Sequence, residues 1–210
     1  MRIITKPKNK LDAIFWDFDG VLMNSNEVRD QGFTEVLKEF PKEQVDQLMD
    51  FHHKNGGLSR YVKFRFFFEE IREESISDEV IVKWAVKFST IMRKLLVNNK
   101  LLIVETLEFV KQNYKNIPMH IVSGSDQEEL RYLCKGMKIH NYFKSIQGSP
   151  KPKTKWVGEL LEQYNYNPKL CVLIGDSKND FEAAMDNQLE FLGYNNEKIE
   201  KLSTVRIKFL

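Results

Sequence analysis

Two patterns of apolar residues divide the chain. A short, continuous apolar run at residues 13–16 indicates a buried strand over residues 12–18, and similar runs alternate with helical patterns throughout the second half of the chain. Between about residues 26 and 98, apolar residues recur almost only at helical spacing. Near-continuous apolar strands that alternate with helices indicate a mainly parallel sheet covered on both faces. We therefore predict an α/β fold: a three-layer α/β/α, Rossmann-like core domain from residues 1–24 and 99–210, and an inserted α-helical cap domain at residues 25–98.

The same spacing, together with helix-ending residues, predicts the individual elements. In the central segment we predict helices at 26–40, 42–54, 59–74 and 77–97, the last with Ser77 as its N-cap. After the first strand at 12–18, further strands are predicted near 119–124, 142–148, 170–176 and 190–194. Helices are predicted between them at 102–114, 126–137, 155–165 and 179–187. The final run, residues 204–209, alternates like an edge strand.

The composition excludes several classes of protein. The 210 residues are 42% hydrophobic and 30% charged, and no apolar run approaches the ~20 residues of a membrane span. The net charge of +2 gives no reason to expect a polyanionic partner, and there is no nucleic-acid-binding signature. The N-terminus lacks a signal-peptide pattern. Cys134 and Cys171 lie in apolar settings without metal-ligand spacing, so we expect buried free thiols and a cytoplasmic location.

Polar residues follow three of the predicted strands. Asp17 and Asp19 follow the first, Ser123-Gly124-Ser125 the second, and Gly175-Asp176-Ser177 a later one. Ligands bind beyond the carboxyl ends of the strands in such sheets, so these residues are expected to meet at one edge. Two carboxylates one residue apart repel, and their burial is costly unless it is compensated. Either both side chains point into solvent or a cation lies between them.

Each of these segments also has an ordinary interpretation. A lone D-x-D pair is usually a solvated turn, and "GDSKND" alone could be any polar loop between a strand and a helix. Ser125 could be a helix N-cap, with Glu128 completing a capping box. The run "GSPKPKTK" alone would be an exposed basic loop. Chance is a much poorer explanation for all four in this order, each at a predicted strand end or helix start.

The four motifs together resemble those of the haloacid dehalogenase-like (HAD) hydrolase superfamily. The similarity is to its phosphatases with a helical C1-type cap, the branch of phosphoglycolate phosphatase and β-phosphoglucomutase. The first motif, D-x-D-G-[TV], is "DFDGV" here, and the fourth, G-D-[ST]-x-x-D, is "GDSKND". The second is Ser123 after "MHIV", and the third is a lysine within "SPKPKTKW". Dehalogenases of this superfamily lack the second aspartate of the first motif, so Asp19 argues for phosphoryl transfer.

The resemblance implies a role for each acidic residue. Asp17 is the nucleophile, and Asp19 is the general acid for the leaving oxygen and then the base for the attacking water. Asp17, Asp176 and the backbone carbonyl of Asp19 are implied ligands of Mg²⁺, with Asp180 binding directly or through water. The chemistry agrees, because a bare carboxylate would repel a phosphomonoester dianion unless a divalent cation bridged them. Mg²⁺ prefers oxygen ligands and needs only one or two carboxylates.

The resemblance also implies a set of phosphate-binding residues. Ser123 and the amide of Gly124 would hold phosphoryl oxygens at the start of the following helix, and Gly20 of the first motif belongs to the same group. A lysine would neutralise the phosphate and orient the nucleophile. Lys151 fits the K-P-x-P form of the third motif, whereas Lys153 fits the G-S-P-x-x-K form. We favour Lys153 and expect the other lysine to be solvated.

Residues of the predicted cap are expected to select the substrate. Gly56-Gly57 could form a flexible loop over the site, and Arg60 and Lys63 share one helix face. Either these cations lie on a solvated face, or one of them meets a carboxylate or second anion of the substrate. The function we predict is hydrolysis of a small phosphorylated metabolite through an aspartyl-phosphate, by a monomer or homodimer. The alternatives are a phosphomutase, which shares the core, and a non-catalytic phosphate-binding module.

Overall fold

The computed structural model of the chain describes residues 2–4 and 11–207. Its centre is a five-stranded, fully parallel sheet of β2 (Ala13–Trp16), β3 (Met119–Asp126), β4 (Ser145–Ser149), β5 (Cys171–Gly175) and β6 (Glu190–Gly193), in the order β4-β3-β2-β5-β6. β2 pairs with β3 on one side and with β5 on the other. The predicted α/β fold with a parallel sheet is confirmed, and the first strand lies at the centre of that sheet.

Helices cover the sheet and fill the segment between β2 and β3. Residues 25–98 of that segment, which we call the helical insert, carry α1 (Asn26–Val36), α2 (Lys42–Lys54), α3 (Arg60–Phe66) and α4 (Asp78–Leu96). The helices after it are α5 (Val104–Asn113), α6 (Gln127–Gly136), α7 (Lys153–Tyr164), α8 (Lys178–Asp186) and the short α9 (Glu197–Glu200). No helix among the described residues is long and apolar enough to cross a membrane.

Burial on both faces of the sheet explains the continuous apolar run of β2. Ile14 and Trp16 belong to the cluster that continues into the insert, whereas Ala13 and Phe15 pack with the opposite cluster. All four side chains are fully buried. Side chains alternate between the two faces of a strand, so only a strand covered on both sides can be apolar throughout. This burial makes the end of β2 a rigid position for the first carboxylate that follows it.

Aromatic side chains form the core of the helical insert. Phe33 of α1 lies 5.5 Å from Phe64 of α3 and 4.4 Å from Phe88 of α4, measured between ring centroids. Phe67 and Phe68 pack edge-on at 5.2 Å and are 0% and 5% exposed. The aromatic positions of the insert therefore hold its helices together, as the helical spacing indicates.

Several element boundaries differ from the sequence-based predictions. The predicted helix at 59–74 is two elements, α3 and a π-helical turn at Phe67–Ile71. Ser125, the N-cap in the ordinary interpretation of this segment, does not cap α6, because the Asp126 side chain accepts the backbone N–H groups of Glu128 and Glu129. The final run forms β7 (Val205–Ile207), which pairs with the unpredicted strand β1 (Arg2–Ile4) in a separate two-stranded sheet. Residues 208 and 209 of that run lie outside the described residues. Both cysteines are buried and free, as predicted.

Candidate active site

The carboxyl ends of β2, β3 and β5 open into one cavity of about 870 Å³. The helical insert supplies the opposite wall. The sequence-predicted residues that line this cavity are Asp17, Asp19, Arg60, Lys63, Ser123, Gly124 and Asp176. The structure thus brings the residues of three separate strand ends together with the two cations from the insert.

Asp17 lies at the end of β2 and is only 3% exposed. Its backbone N–H donates to the carbonyl of Ile174 on the neighbouring strand, at 2.9 Å, which fixes the residue at the sheet edge. Lys153 Nζ lies 3.0 Å from Asp17 Oδ1. Burial, followed by the charge of Asp180, raises the pKa of Asp17 well above its usual range, and Lys153 only partly opposes this. The site therefore crowds negative charge around a single buried ammonium group.

The donor set at this point fits an oxygen-preferring divalent cation. Carboxylate oxygens of Asp17, Asp176 and Asp180 lie within 4.8 Å of one another. Burial, with the charge of Asp180, raises the pKa of Asp176 to about 7. A bound divalent cation would offset this repulsion, and carboxylate, carbonyl and water oxygens are the ligands that Mg²⁺ prefers. The residues present therefore fit the Mg²⁺ that the sequence motifs imply.

The structure brings Lys153, and not Lys151, to the predicted site. Lys153 is the first residue of α7, is 4% exposed, and contacts both Asp17 and Asp180 Oδ1. Lys151 points away: its Nζ pairs with Glu159 at 2.7 Å and lies 3.7 Å from the Trp156 ring centroid. This geometry argues against a catalytic role for Lys151, because its ammonium group pairs with Glu159 at the surface.

Asp180 has both carboxylate oxygens occupied by protein groups. Oδ1 contacts Lys153, and Oδ2 accepts from the Ser177 hydroxyl at 2.5 Å and the Ser177 N–H at 3.1 Å. The Ser177 hydroxyl in turn accepts the N–H of Asp180 at 3.3 Å, which completes a capping box at the start of α8. Of the two modes that the sequence leaves open for Asp180, this geometry favours an indirect one, in which it holds Lys153 and reaches a metal through water.

Gly20 provides the space in which the Asp176 carboxylate lies. It adopts φ +77°, and a Cβ at this position would sit 2.0 Å from Asp176 Oδ2. A larger residue would therefore both strain the backbone and displace a proposed metal ligand. In this structure Gly20 leaves room for the Asp176 carboxylate, and its predicted contact with the substrate stays a prediction.

We predict that Gly20→Ala lowers kcat/KM by about 10- to 100-fold, since sub-ångström misplacement of reacting groups has effects of this order. The same change should destabilise the protein by roughly 1–3 kcal/mol through the strained backbone. Steady-state kinetics and thermal denaturation measure the two effects. Gly158→Ala, in the middle of helix α7, is the matched control and should retain wild-type kinetics. Wild-type kinetics in Gly20→Ala would show that Asp176 tolerates displacement.

Asp19 is held by three donors. Oδ1 accepts from Arg29 Nε at 2.6 Å and from the Ser25 hydroxyl, and Oδ2 accepts from the Ser125 hydroxyl at 2.5 Å. Burial alone would raise the pKa of Asp19, but the charge of and hydrogen bond from Arg29, with the two hydroxyls, lower it. The second aspartate of the motif is therefore an oriented carboxylate in this structure.

Arg29 is the main site residue that the sequence analysis missed. It is 7% exposed and lies on the buried face of α1 with Gly32 and Phe33. A cation on an otherwise apolar helix face was the available signal, because buried charges are normally paired. Arg29 links Asp19 to Glu129 of α6, with Nη1 3.0 Å from Glu129 Oε1.

The second motif places Ser123 and Gly124 under the glycine loop of the insert. Ser123 is 1% exposed, and its hydroxyl accepts the N–H of Ser125 at 3.1 Å. A Cβ on Gly124 would lie 2.2 Å from the carbonyl oxygen of Gly57, so the two backbones are in direct contact. The predicted approach of the Gly56-Gly57 loop to the site is therefore present in the structure.

The two insert cations that the sequence analysis singled out are both buried. Arg60 and Lys63 are each 4% exposed, so a solvated face is the wrong interpretation for both. Arg60 donates to Glu129 Oε2 and Oε1 at 2.6 and 2.8 Å, and to Ser89 at 2.6 Å. Lys63 Nζ lies 2.6 Å from Nδ1 of His52. The charge of Arg60 is thus matched inside the protein, which argues against it as the main anion-binding group.

We predict that Glu129→Gln destabilises the protein by about 3–5 kcal/mol, because it leaves the two buried guanidinium groups of Arg29 and Arg60 short of a counter-charge. Glu129 is fully buried. Thermal and chemical denaturation measure the loss, with the neighbouring Glu128→Gln as control, since the Glu128 side chain is 74% exposed. A loss no larger than that of the control would show that the buried network is energetically neutral.

The pH dependence of that loss follows from the pKa of Glu129. Burial would raise this pKa, but Arg60 and then Arg29 hold it below its usual range. A lowered folded-state pKa gives stability that is present at neutral pH and is lost as the pH falls through that pKa. The stability difference between wild type and Glu129→Gln should therefore shrink in acid, below the ordinary range of a glutamate.

A second group of possible metal ligands lies on the cavity wall. Nε2 of His52 and of His53 lie 2.8 and 3.0 Å from the two oxygens of Asp30. Burial and the charge of Lys63 lower the pKa of His52 to about 4, so His52 is neutral at physiological pH. The ammonium of Lys63 beside His52 opposes a further cation here. The group is better explained as hydrogen bonds that join α1 to α2.

The chain is similar to known proteins in sequence and in fold. The chain matches the family model described as haloacid dehalogenase-like hydrolase over residues 14–194. It is 23% identical over 187 residues to a protein of Thermotoga maritima named phosphorylated carbohydrates phosphatase. This alignment covers 86% of this chain and 83% of that protein. Among solved structures, it is similar to β-phosphoglucomutase from Clostridium difficile, with a TM-score of 0.72, 18% identity, and coverage of 94% and 90% of the two chains. CbbY from Rhodobacter sphaeroides, solved with xylulose-1,5-bisphosphate, gives a TM-score of 0.72, 16% identity, and coverage of 94% and 93%.

Proposed function

The chain belongs to the haloacid dehalogenase-like hydrolase family, and on this premise we propose that it is a Mg²⁺-dependent phosphatase of a small phosphorylated metabolite. The observation that carries the proposal is the position of the buried Asp17. Its Oδ1 lies 3.0 Å from Lys153 Nζ, and a carboxylate oxygen of Asp176 lies within 4.8 Å of one of its own. The printed name of the Thermotoga maritima relative, a phosphatase of phosphorylated carbohydrates, supports a carbohydrate phosphate as the substrate.

In the first step, an oxygen of Asp17 attacks the phosphorus and the ester oxygen leaves, which gives an aspartyl-phosphate and an alcohol. Phosphomonoester hydrolysis is so slow without catalysis that accelerations reach about 10²¹-fold, and a covalent intermediate divides this barrier into two. Asp19 lies two residues further on, and the motif implies that it is the general acid for the leaving oxygen. Because Arg29, Ser25 and Ser125 hold it as a carboxylate in this structure, it would have to take up a proton before it could donate one in this step. Lys153 neutralises charge on the phosphoryl group and orients Asp17.

In the second step, water attacks the phosphorus of the aspartyl-phosphate and Asp19 accepts its proton. The three donors that hold Asp19 as an oriented carboxylate support this half of the reaction. Ser123 and the backbone N–H of Gly124 would hold phosphoryl oxygens in both steps. Both residues line the cavity beside Asp17.

Asp17, Asp176 and the backbone carbonyl of Asp19 would hold Mg²⁺, with Asp180 acting through water. When bound, the ion supplies positive charge that offsets the repulsion between the carboxylates and the phosphoryl dianion. The crowding of the three carboxylates supports this assignment.

We propose that residues 25–98 act as a cap and that residues 1–24 and 99–210 form the catalytic core. Contacts between the two include a group at the start of α6, where Tyr61 donates to Asp126 at 2.7 Å and Arg60 pairs with Glu129. Opening at these contacts would admit substrate, and closure would exclude water.

The buried free thiols of both cysteines are consistent with a protein that works in the reducing cytoplasm.

A phosphate-release screen over phosphorylated metabolites, with Mg²⁺ and with EDTA, tests the proposal. We expect release that requires the metal, with the highest kcat/KM for a small phosphate ester. If the protein instead interconverts the isomers of a sugar phosphate, and does so only with a bisphosphate primer, it is a phosphomutase and the proposal fails. A folded protein that binds Mg²⁺ and phosphate but turns over no compound would replace it with a binding module.

A further inference from the structure

One buried cation of the cavity wall lacks a negative partner. Four buried cations occur among the described residues: Arg29, Arg60, Lys63 and Lys153. Three of them lie within salt-bridge distance of a carboxylate. Within the described part of the chain, Lys63 has no such partner. The wall that the helical insert presents to the cavity therefore carries one uncompensated positive charge when Lys63 is protonated.

The surroundings of Lys63 do not neutralise it. Its Nζ lies 2.6 Å from Nδ1 of His52 and 5.7 Å from the ring centroid of Phe33. An imidazole nitrogen accepts a hydrogen bond but brings no negative charge. Burial and the charge of Arg29 lower the pKa of Lys63 to about 7, while the other charged groups around it are Asp19, Arg60 and Asp30. A buried ammonium in this state gains from an added anion.

The guanidinium of Arg29, a residue that also lines the cavity, has one buried nitrogen without a hydrogen-bond partner among the described residues. Its Nε donates to Asp19 at 2.6 Å and its Nη1 to Glu129 at 3.0 Å. Nη2 is buried and has no hydrogen-bond partner among the described residues. Buried donors are nearly always satisfied, so an unsatisfied donor on a residue that lines a ligand cavity indicates an absent acceptor. Arg29 and Lys63 both line the cavity.

We propose that Lys63 and Nη2 of Arg29 form a subsite for a carboxylate on the substrate, next to the phosphoryl group. This inference rests on the phosphatase function proposed above. A carboxylate matches the single excess charge, and its two oxygens can accept from the two cations separately. Because Arg29 also holds Asp19, the carboxylate lies only a few bonds from the ester oxygen. Arg60 is not part of this subsite, since Glu129 already balances its charge and Glu129 and Ser89 accept from its Nη1 and Nη2.

Binding to the Asp17→Asn variant tests the subsite without requiring turnover. Isothermal titration calorimetry with Mg²⁺ present compares 2-phosphoglycolate with its primary amide. The amide keeps the phosphate and replaces the carboxylate with a neutral group. We expect the acid to bind about 10- to 100-fold more tightly, the range usual for charge-assisted hydrogen bonds. Adding Lys63→Met should reduce this ratio below about 3, whereas Lys63→Arg should keep most of it. Arg65→Met, which removes an exposed cation of the same helix, should leave the ratio unchanged.

Equal affinity for acid and amide, or a ratio that Lys63→Met does not change, would overturn the subsite. Tighter binding of the corresponding ethylene glycol bisphosphate than of the acid would overturn the assignment to a singly charged group. These outcomes are separate from the proposed function, which the phosphate-release screen measures on the protein with Asp17 intact. Preferential binding of the acid without turnover of any compound would leave the subsite standing and refute the phosphatase.

Discussion

Asp17→Asn is expected to lower kcat by at least about 10⁴-fold, the order seen when a catalytic nucleophile is removed. The amide cannot form the aspartyl-phosphate, while its size and position at the end of β2 stay the same. Phosphate release with Mg²⁺ present measures the effect. Asp186→Asn, an exposed aspartate at the end of α8, is the control and should show wild-type turnover. Activity of Asp17→Asn near the wild-type rate would refute Asp17 as the nucleophile.

The same variant should not lose stability. The pKa of Asp17 is raised by burial and by Asp180, so its ionised form is unfavourable in the folded protein. An acid with a raised folded-state pKa makes the protein less stable as the pH rises above the ordinary aspartate pKa. We therefore expect a higher Tm for Asp17→Asn than for wild type at pH 7 without metal, which thermal denaturation checks. A large drop in Tm would mean that lost activity reflects unfolding.

Lys153→Met is expected to lower kcat/KM by about 10³-fold, because one preorganised charge at the reacting centre contributes a factor of this order. It also leaves the buried Asp17 and Asp180 without their ammonium partner, which should destabilise the fold by about 3–5 kcal/mol. Kinetics and denaturation measure both effects.

Lys151→Met is the matched control for this variant. Lys151 lies two residues away, and its side chain is 39% exposed in a surface pair with Glu159. Surface pairs contribute about 0–1 kcal/mol, so both activity and stability should stay close to wild type. A larger loss of activity in Lys151→Met than in Lys153→Met would reverse the assignment of the third motif.

The sequence alone was sufficient to predict the place of a site residue wherever that place depends on the end of a single strand. The continuous apolar run of β2 predicted a strand buried on both faces, and the structure places it at the centre of the sheet. The parallel order then required the residues after β2, β3 and β5 to share one edge. For this reason Asp17, Ser123 and Asp176 meet in one cavity as predicted.

The sequence was insufficient wherever the geometry depends on contacts between distant elements. The choice between Lys151 and Lys153 depends on which side of α7 faces Asp180. The pairing of Arg29 with Asp19 depends on how α1 packs over the sheet edge. Ser125 is free to hold Asp19 only because Asp126 provides the N-cap of α6. In each case the deciding contact joins residues from separate segments of the chain, so the local pattern did not contain it.

Trapping the covalent intermediate tests the central claim most directly. The protein would be mixed with its best substrate and Mg²⁺, quenched in acid and reduced with borohydride, which converts an aspartyl-phosphate to homoserine. Mass spectrometry of the tryptic peptide spanning residues 11–29 then locates the change, because this peptide contains both Asp17 and Asp19. We expect homoserine at position 17 and unmodified Asp19. Homoserine at position 19, or no reduced residue during rapid turnover, would contradict the mechanism.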